Sequence, residues 1–298
     1  MHHFKKISEL HEALGIEPPE HPLFSAVHGE RNTCTGNTEL EFSSAFYIIG
    51  FKKLKSGSMR YGKTEYDHDR GSMSFTKPQQ HVTFKNVELQ EMGFLIIIHE
   101  DFLPGTVLYI EIRKYSYFDY QVNEALHLSP AEENIIWNLY HSIEKENNNN
   151  TDELSKSIII SQLDSMLKYA QRFYKRQFIN RTHLTGSKLA QFNALLATNL
   201  AERKTTNAGL PTVSLMADKL HVSARYLTDL LKQETGKTAL ELIHLFLIDE
   251  AKNLLTEGSL NVTEISRLLG FENNTYFSRL FKKEVGTTPN KFKDSLLN

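Results

Sequence analysis

The chain has 298 residues, with 34 Lys and Arg against 36 Asp and Glu; the net charge of -2 excludes a polycation that holds nucleic acid by bulk charge. Its 40% hydrophobic content is enough for the ordinary cores of two domains, and the single cysteine, Cys34, excludes an internal disulfide framework and fits a reducing compartment. No run approaches the roughly eighteen apolar residues of a membrane span. The start Met1-His2-His3-Phe4-Lys5-Lys6 lacks the apolar stretch of a secretory signal, so a cytoplasmic protein that does not engage membranes is expected.

In chain order, residues 23–118 read as strands rich in Phe, Tyr, Ile and Val. Three apolar runs, 45–51, 93–98 and 107–112, suit strands buried in a barrel or sandwich, and Gly57, Gly62, Gly71 and Pro78 punctuate the middle. The period then changes. Ser129, Pro130 and Glu132 form a helix start, with Ser129 as N-cap, proline in the first position and a capping box. Ile135, Ile136, Leu139 and Ile143 mark its apolar face. After the polar loop 147–150, Leu154, Ile158, Ile159, Leu163, Met166, Leu167 and Ala170 mark a second helix. The two helices form a hairpin that either covers a sheet or pairs with a second subunit. Residues 178–187 read as a connector, and everything after Ser187 as helix and turn.

Charge is unevenly spread. Residues 119–164 carry two basic and nine acidic side chains, and residues 168–204 carry eight basic and one acidic. Two solvated helical faces of opposite sign would explain this, as would a basic surface leading into a nucleic-acid-binding region.

The most specific signal is a repeat. Residues 226–236 read Tyr-Leu-Thr-Asp-Leu-Leu-Lys-Gln-Glu-Thr-Gly, and residues 276–286 read Tyr-Phe-Ser-Arg-Leu-Phe-Lys-Lys-Glu-Val-Gly. Each follows a short helical pattern and a turn. In the second copy Asn261 and Glu264 form a capping box, Val262, Ile265, Leu268 and Leu269 face inward, and Gly270 fits a turn of positive φ. Phe271 plugs the core, Phe277, Leu280 and Phe281 share one face of the next helix, Gly286 ends it, and Pro289 prevents its continuation. In the first copy Thr212 is the N-cap, Val213, Met216, Ala217 and Leu220 pack inward, and His221-Val222-Ser223 turns without a glycine. Leu227, Leu230 and Leu231 are expected to be buried. Residues 239–256 can form one long helix between the copies. Each unit thus offers an outward helix face of short polar groups and a guanidinium, suited to base edges in a major groove.

Gly270-Phe271-Glu272, the stretch from Tyr276 to Lys283, Gly286 and Pro289 resemble the DNA-binding domain of the AraC-type family of bacterial transcription regulators. The resemblance covers residues 187–298 well and is only architectural over 23–178, where the family often carries a cupin-like β-barrel that senses a small molecule, followed by dimerising helices. It implies an α+β chain: residues 1–183 as a sensing region with dimerisation helices over about 129–178, and residues 184–298 as the DNA-binding domain. It implies base-reading positions at Arg225, Thr228 and Asp229 in the first recognition helix and at Asn274, Thr275 and Arg279 in the second. Ser223, Lys232, Ser278, Lys282, Lys283 and Lys291 are the expected phosphate contacts, with Lys293 in the same cluster. Three positions depart from the family. Asp229 stands where a basic residue is more usual, and would either accept from a cytosine amino group or orient Arg225. Leu247 replaces a common arginine, and Ala239 a frequent proline. Residues 210–298 carry eleven basic and eleven acidic side chains, so few phosphate contacts and a moderate salt slope are expected.

The expected function is therefore sequence-specific regulation of transcription by a homodimer on double-stranded DNA. A small-molecule effector would act on the N-terminal region, and RNA polymerase would be a partner if the chain activates. Residues 66–81 resemble the turn-strand-turn of a cupin barrel, but the His-x-His pair of metal-binding cupins is absent, and His68, His81 and His99 are isolated. No metal, cofactor or catalytic residue is expected. The alternative, a cupin-type metal enzyme with a helical appendage, would need such a constellation. Phe46, Tyr47, Phe51, Tyr61 and Phe75 could line a cavity, although aromatic residues on strands are usually core.

Overall fold

The computed structural model describes residues 2–29, 40–52, 59–61, 64–66, 71–84, 93–121, 124–149, 152–184, 188–206 and 209–296. By its contacts the chain divides into two compact units, Met1–Gln177 and Phe178–Asn298. The architecture is α+β: a β-rich first unit with a helical hairpin and an all-helical second unit.

The first unit begins with β1 (His2–Phe4) and α1 (Ile7–Leu14), then β2 (Phe24–His28), β3 (Leu40–Ser44) and β4 (Phe46–Lys52). Next come β5 (Met59–Tyr61), β6 (Thr64–Tyr66), β7 (Ser72–Thr76), β8 (Val82–Phe84) and β9 (Phe94–His99). A five-stranded sheet has the order β7-β4-β9-β2, with the two-residue β10 (Leu126–His127) on the outer edge of β7. All its pairings are antiparallel, with Ile48 opposite Ile97 and Ile49 opposite Ile96. A three-stranded sheet runs β1-β3-β8, and β5 pairs with β6.

The central sheet is apolar on both faces. On one, Val27, Phe46, Ile48, Leu95 and Ile97 share a core with Phe4 and Phe42 of the smaller sheet and with Ile7, Leu10 and Ile16. On the other, Tyr47 meets Phe118 at 5.2 Å, Phe51 meets Trp137 at 5.3 Å, and Phe94 stacks on Tyr140 at 4.2 Å between ring centres. A strand covered on both sides has no polar face, which is why the runs at 45–51 and 93–98 show no alternation. Phe46, Tyr47, Phe51 and Phe75 are buried core residues, and the Tyr61 side chain lies outside the described residues.

The third apolar run is not a strand. Residues Leu108–Glu111 form a single helical turn, α2, which a 3-10 turn over Ile112–Lys114 continues. In a strand, Leu108, Ile110 and Ile112 would share a face. At helical spacing only Leu108 and Ile112 do, and they are buried while Ile110 is 63% exposed. The preceding Pro104-Gly105, with Gly105 at φ 79°, turns the chain out of the sheet before the run begins.

The hairpin consists of α3 (Pro130–Asn148) and α4 (Ser155–Leu184). The predicted capping box is present: the Ser129 hydroxyl accepts from the Glu132 N–H at 3.4 Å, and the Glu132 carboxylate accepts from the Ser129 N–H at 2.8 Å. Ile136, Tyr140 and Ile143 of α3 are buried, as are Ile159, Leu163, Met166, Leu167 and Ala170 of α4. Leu154 and Ile158 are exposed, contrary to their expected place on the buried side. The hairpin covers the sheet, with Trp137 and Tyr140 against Phe51 and Phe94. Helix α4 also runs on to Leu184, through much of the segment expected to be a connector. Residues 178–184 contain neither glycine nor proline, so nothing there interrupts the backbone hydrogen bonds.

Part of the basic stretch is absorbed here. The Arg176 guanidinium donates to Glu132 at 2.7 Å and to the His127 carbonyl at 2.7 Å, and Lys168 pairs with Asp164 at 2.6 Å. These cations serve the first unit rather than a free basic surface. His81 is exposed, and His99 accepts from the Asp101 N–H at 3.1 Å through Nδ1. His68 and Cys34 lie outside the described residues.

Gly71 opens β7 where no side chain fits. Its N–H donates to the buried Glu133 carboxylate, and a Cβ there would stand 2.3 Å from Cζ of Phe51. Gly71→Ala is expected to destabilise the protein by about 1–3 kcal/mol through forced displacement of a core ring. A denaturation midpoint equal to that of the parent chain would refute this.

The second unit is built from α5 (Lys188–Thr206), α6 (Val213–Lys219), α7 (Ala224–Thr235), α8 (Ala239–Glu257), α9 (Val262–Leu268), α10 (Asn274–Val285) and α11 (Pro289–Leu296). Helix α8 packs against α7, α9, α10 and α11. Leu247, where the family commonly has arginine, is buried, and Ala239 is the buried first residue of α8. The apolar choice at Leu247 makes this helix a core element. Thr238 caps α8, accepting from the Glu241 N–H at 3.3 Å, while the Glu241 carboxylate accepts from the Thr238 N–H at 2.7 Å. The Thr238 N–H and, at 2.8 Å, the Thr238 hydroxyl both donate to this carboxylate and hold the Glu241 carboxyl below the usual carboxylate range. The Thr-x-x-Glu spacing at 238–241 is a capping signal legible in the sequence itself.

Candidate nucleic-acid interface

Each copy of the repeat folds as helix, turn, helix. In the first, the Thr212 hydroxyl accepts from the Leu215 N–H at 3.2 Å and starts α6. The turn follows at His221, whose φ of 56° is a left-handed value rare for a side-chain-bearing residue. In the second, the Asn261 side chain accepts from the Glu264 N–H at 3.0 Å and starts α9, and Gly270 takes the turn at φ 88°. His221 thus adopts the conformation that glycine supplies in the other copy.

The second helices, α7 and α10, are capped alike. Ser223 accepts from the Tyr226 N–H at 3.1 Å, and Asn273 from the N–H groups of Thr275 and Tyr276 at 2.8 and 3.2 Å. Both helices end on a left-handed glycine, Gly236 at φ 75° and Gly286 at φ 86°. Leu227, Leu230 and Leu231 are buried in one, and Phe277, Leu280 and Phe281 in the other. This leaves the opposite faces to solvent.

On α7, Arg225 is exposed, while Thr228 and Asp229 are half-buried beside it. These positions are neighbours on one helix face by their three- and four-residue spacing. Asp229 carries its carboxylate 3.5 Å from the Arg225 Nε. The Thr228 hydroxyl donates to the Ala224 carbonyl at 2.8 Å, so what it offers outward is acceptor capacity. On α10, Asn274, Thr275 and Arg279 are all exposed. The Asn274 amide donates to the Thr263 hydroxyl of α9 at 3.1 Å, which steadies its orientation. Thr263 is a supporting residue that sequence reasoning missed, since no local pattern links positions eleven apart.

Of the expected phosphate contacts, Lys232, Lys282, Lys283 and Lys291 are exposed and Ser278 half-buried. Ser223 is occupied as the cap of α7. Lys283 lies 3.3 Å from Glu284. Lys293 is turned inward, donating to the Leu260 carbonyl at 3.0 Å, which removes it from the cluster of outward cations.

The two copies differ around their shared tyrosine. Tyr226 is 1% exposed and meets Phe178 edge-on at 5.1 Å, whereas Tyr276 is 45% exposed and has its hydroxyl 3.3 Å from Nε2 of His244 on α8. Burial, reinforced by the Lys283 ammonium, holds the His244 imidazole below its usual range.

Residues 216–295 match the family model described as a helix-turn-helix domain. Among curated proteins, the chain is similar to the uncharacterised HTH-type transcriptional regulator YfiF of Bacillus subtilis, 30% identical over 141 residues, or 47% of this chain and 41% of that protein. It is also similar to the xylose operon regulatory protein of Escherichia coli, 33% identical over 82 residues, or 28% of this chain and 21% of that protein. The match thus spans less than half the length of these relatives. A solved structure, the C-terminal domain of AraT, a response regulator from Geobacillus stearothermophilus, is 28% identical, with 37% of this chain and 88% of that one covered and a TM-score of 0.31.

Proposed function

We propose that this chain, whose C-terminal region is an AraC-type helix-turn-helix domain, is a sequence-specific regulator of transcription that reads double-stranded DNA with both recognition helices. The observation that carries this is the duplication of one architecture. Helices α7 and α10 are each capped, each closed by a left-handed glycine, each buried on one side, and each fitted with an arginine on the other. Two such helices held by α8 suit successive major-groove segments about one helical turn apart.

Arg225, Thr228, Asn274, Thr275 and Arg279 face the base edges in this reading. Lys232, Ser278, Lys282, Lys283 and Lys291 take phosphates and set the register. The N-terminal unit senses a small molecule, and its hairpin, where Leu154 and Ile158 are exposed, pairs two copies into a homodimer. RNA polymerase is the further partner if binding activates. The chain works in the cytoplasm and catalyses no reaction of its own; among the described residues no helix is long and apolar enough to cross a membrane.

The test is selection of bound duplexes from a random-sequence pool by the full chain. Enrichment of two sequence blocks about one turn apart is expected. Titration of the selected site with salt should then give a moderate negative slope, reflecting a few phosphates per monomer. No enrichment at low salt, or affinity that ignores salt, would remove the assignment.

A further inference from the structure

We infer that Asp229 is a positioning residue that aims Arg225 at a guanine, and that the two units read with their arginines one helical turn out of register. The inference rests on the DNA-binding role proposed above and assigns parts within it.

Aligning the copies on Tyr226 and Tyr276 sets Arg225 against Thr275 and Asp229 against Arg279. The guanidinium therefore stands in the first turn of α7 but in the second turn of α10. Four residues of helix separate these stations, a displacement of about 6 Å along the axis. The second unit keeps a short polar group where the first has its arginine, and the first has a carboxylate where the second has its arginine.

The carboxylate has a geometric reason to act on Arg225. Side chains on a helix lean toward its N-terminus, so residue 229 overlies the turn that carries residue 225. Accordingly the Asp229 oxygen approaches Nε of Arg225 at 3.5 Å, with Asp229 the more buried partner at 22% side-chain exposure against 50%. A carboxylate near Nε leaves free the two terminal nitrogens, which the planar group presents side by side as the donor pair that matches O6 and N7 of guanine. A lone carboxylate advancing toward DNA would face phosphates, whereas a carboxylate neutralised by its own arginine does not. The pair adds little to the stability of an exposed helix. Its effect is to reduce the freedom Arg225 must lose on binding.

The alternative role, acceptance from a cytosine amino group by Asp229, predicts a different pattern of lost information. The experiment compares the full-length parent chain with Arg225→Ala, Asp229→Asn, Asp229→Glu and the Arg225→Ala/Asp229→Asn double variant, each by selection from the random duplex pool and by affinity for the parent's selected site. Arg225→Ala is expected to erase a guanine in one block and weaken that site by about fivefold to 150-fold. Asp229→Asn should weaken the same guanine preference by about twofold to fivefold. Asp229→Asn should also bind unselected DNA more tightly, because a negative charge has gone. Asp229→Glu, still a carboxylate within a turn of Arg225, should retain the preference, and the double variant should be no worse than Arg225→Ala alone.

Loss of a cytosine preference at a base pair that Arg225→Ala leaves intact would overturn the positioning role, as would an Asp229→Asn motif identical to the parent's. A parent chain that selects no motif would fail one level lower, overturning the DNA-reading assignment itself and this role with it.

Discussion

Arg279→Ala will erase the base preference of one sequence block and weaken the selected site by about 1–3 kcal/mol, while the other block keeps its consensus. Arg279 is exposed on α10, and Phe277, Leu280 and Phe281 on the opposite face hold the helix in place without it. Truncating it removes an exposed side chain, so the unfolding free energy should stay within about 0.5 kcal/mol of the parent's. Selection from random duplexes combined with a melting curve separates the two quantities. A fall in affinity spread evenly over all sequences would show a phosphate contact rather than a base contact.

Phe277→Ala reverses that pattern. The ring is fully buried and packs on Phe271 at 5.1 Å and Phe281 at 6.0 Å, and Phe281 in turn meets Phe292 of α11 at 5.5 Å. Removing it leaves a cavity between Phe271 of the turn and Phe281 of α10, with an expected loss of about 3–5 kcal/mol. The midpoint of denaturant unfolding reports this directly. DNA affinity should fall with it because α10 loses its seating, and a stabilising osmolyte should restore part of the binding. Unchanged unfolding would mean that the core of the second unit lies elsewhere.

The C-terminal unit is legible in the sequence because its signals are local and occur twice. Caps at Thr212, Asn261 and Asn273, glycines at the ends of α7 and α10, and apolar residues three and four apart all lie within one or two turns of what they specify. The N-terminal unit is legible only as β-rich. An apolar run without alternation fits a strand buried on both sides, yet Val107 to Ile112 winds into a short helix that buries only Leu108 and Ile112 and leaves Ile110 exposed. The start of the chain, with β1 paired in parallel to β3 forty residues away, carries no local mark at all. At the proposed interface, the residue types on α7 and α10 could be placed on the outer face from spacing alone. The tie from Asn274 to Thr263 and the inward turn of Lys293 could not, since both depend on how separate helices meet.

Helix α8 runs without interruption from Ala239 to Glu257. A continuous helix is stiff in twist as well as in length, since each residue advances the chain by about 100° and 1.5 Å. For a protein that reads DNA through both α7 and α10, the connection between the two readers is therefore a gauge with a fixed angle. One base pair added between the two halves of a site rotates the far half by about 34–36°, and a rigid gauge has no slack to follow it. Sites recognised by this chain should thus tolerate altered bases far better than altered spacing. A change of preferred spacing in evolution would call for whole turns added to or removed from α8, not for new side chains on either reading helix.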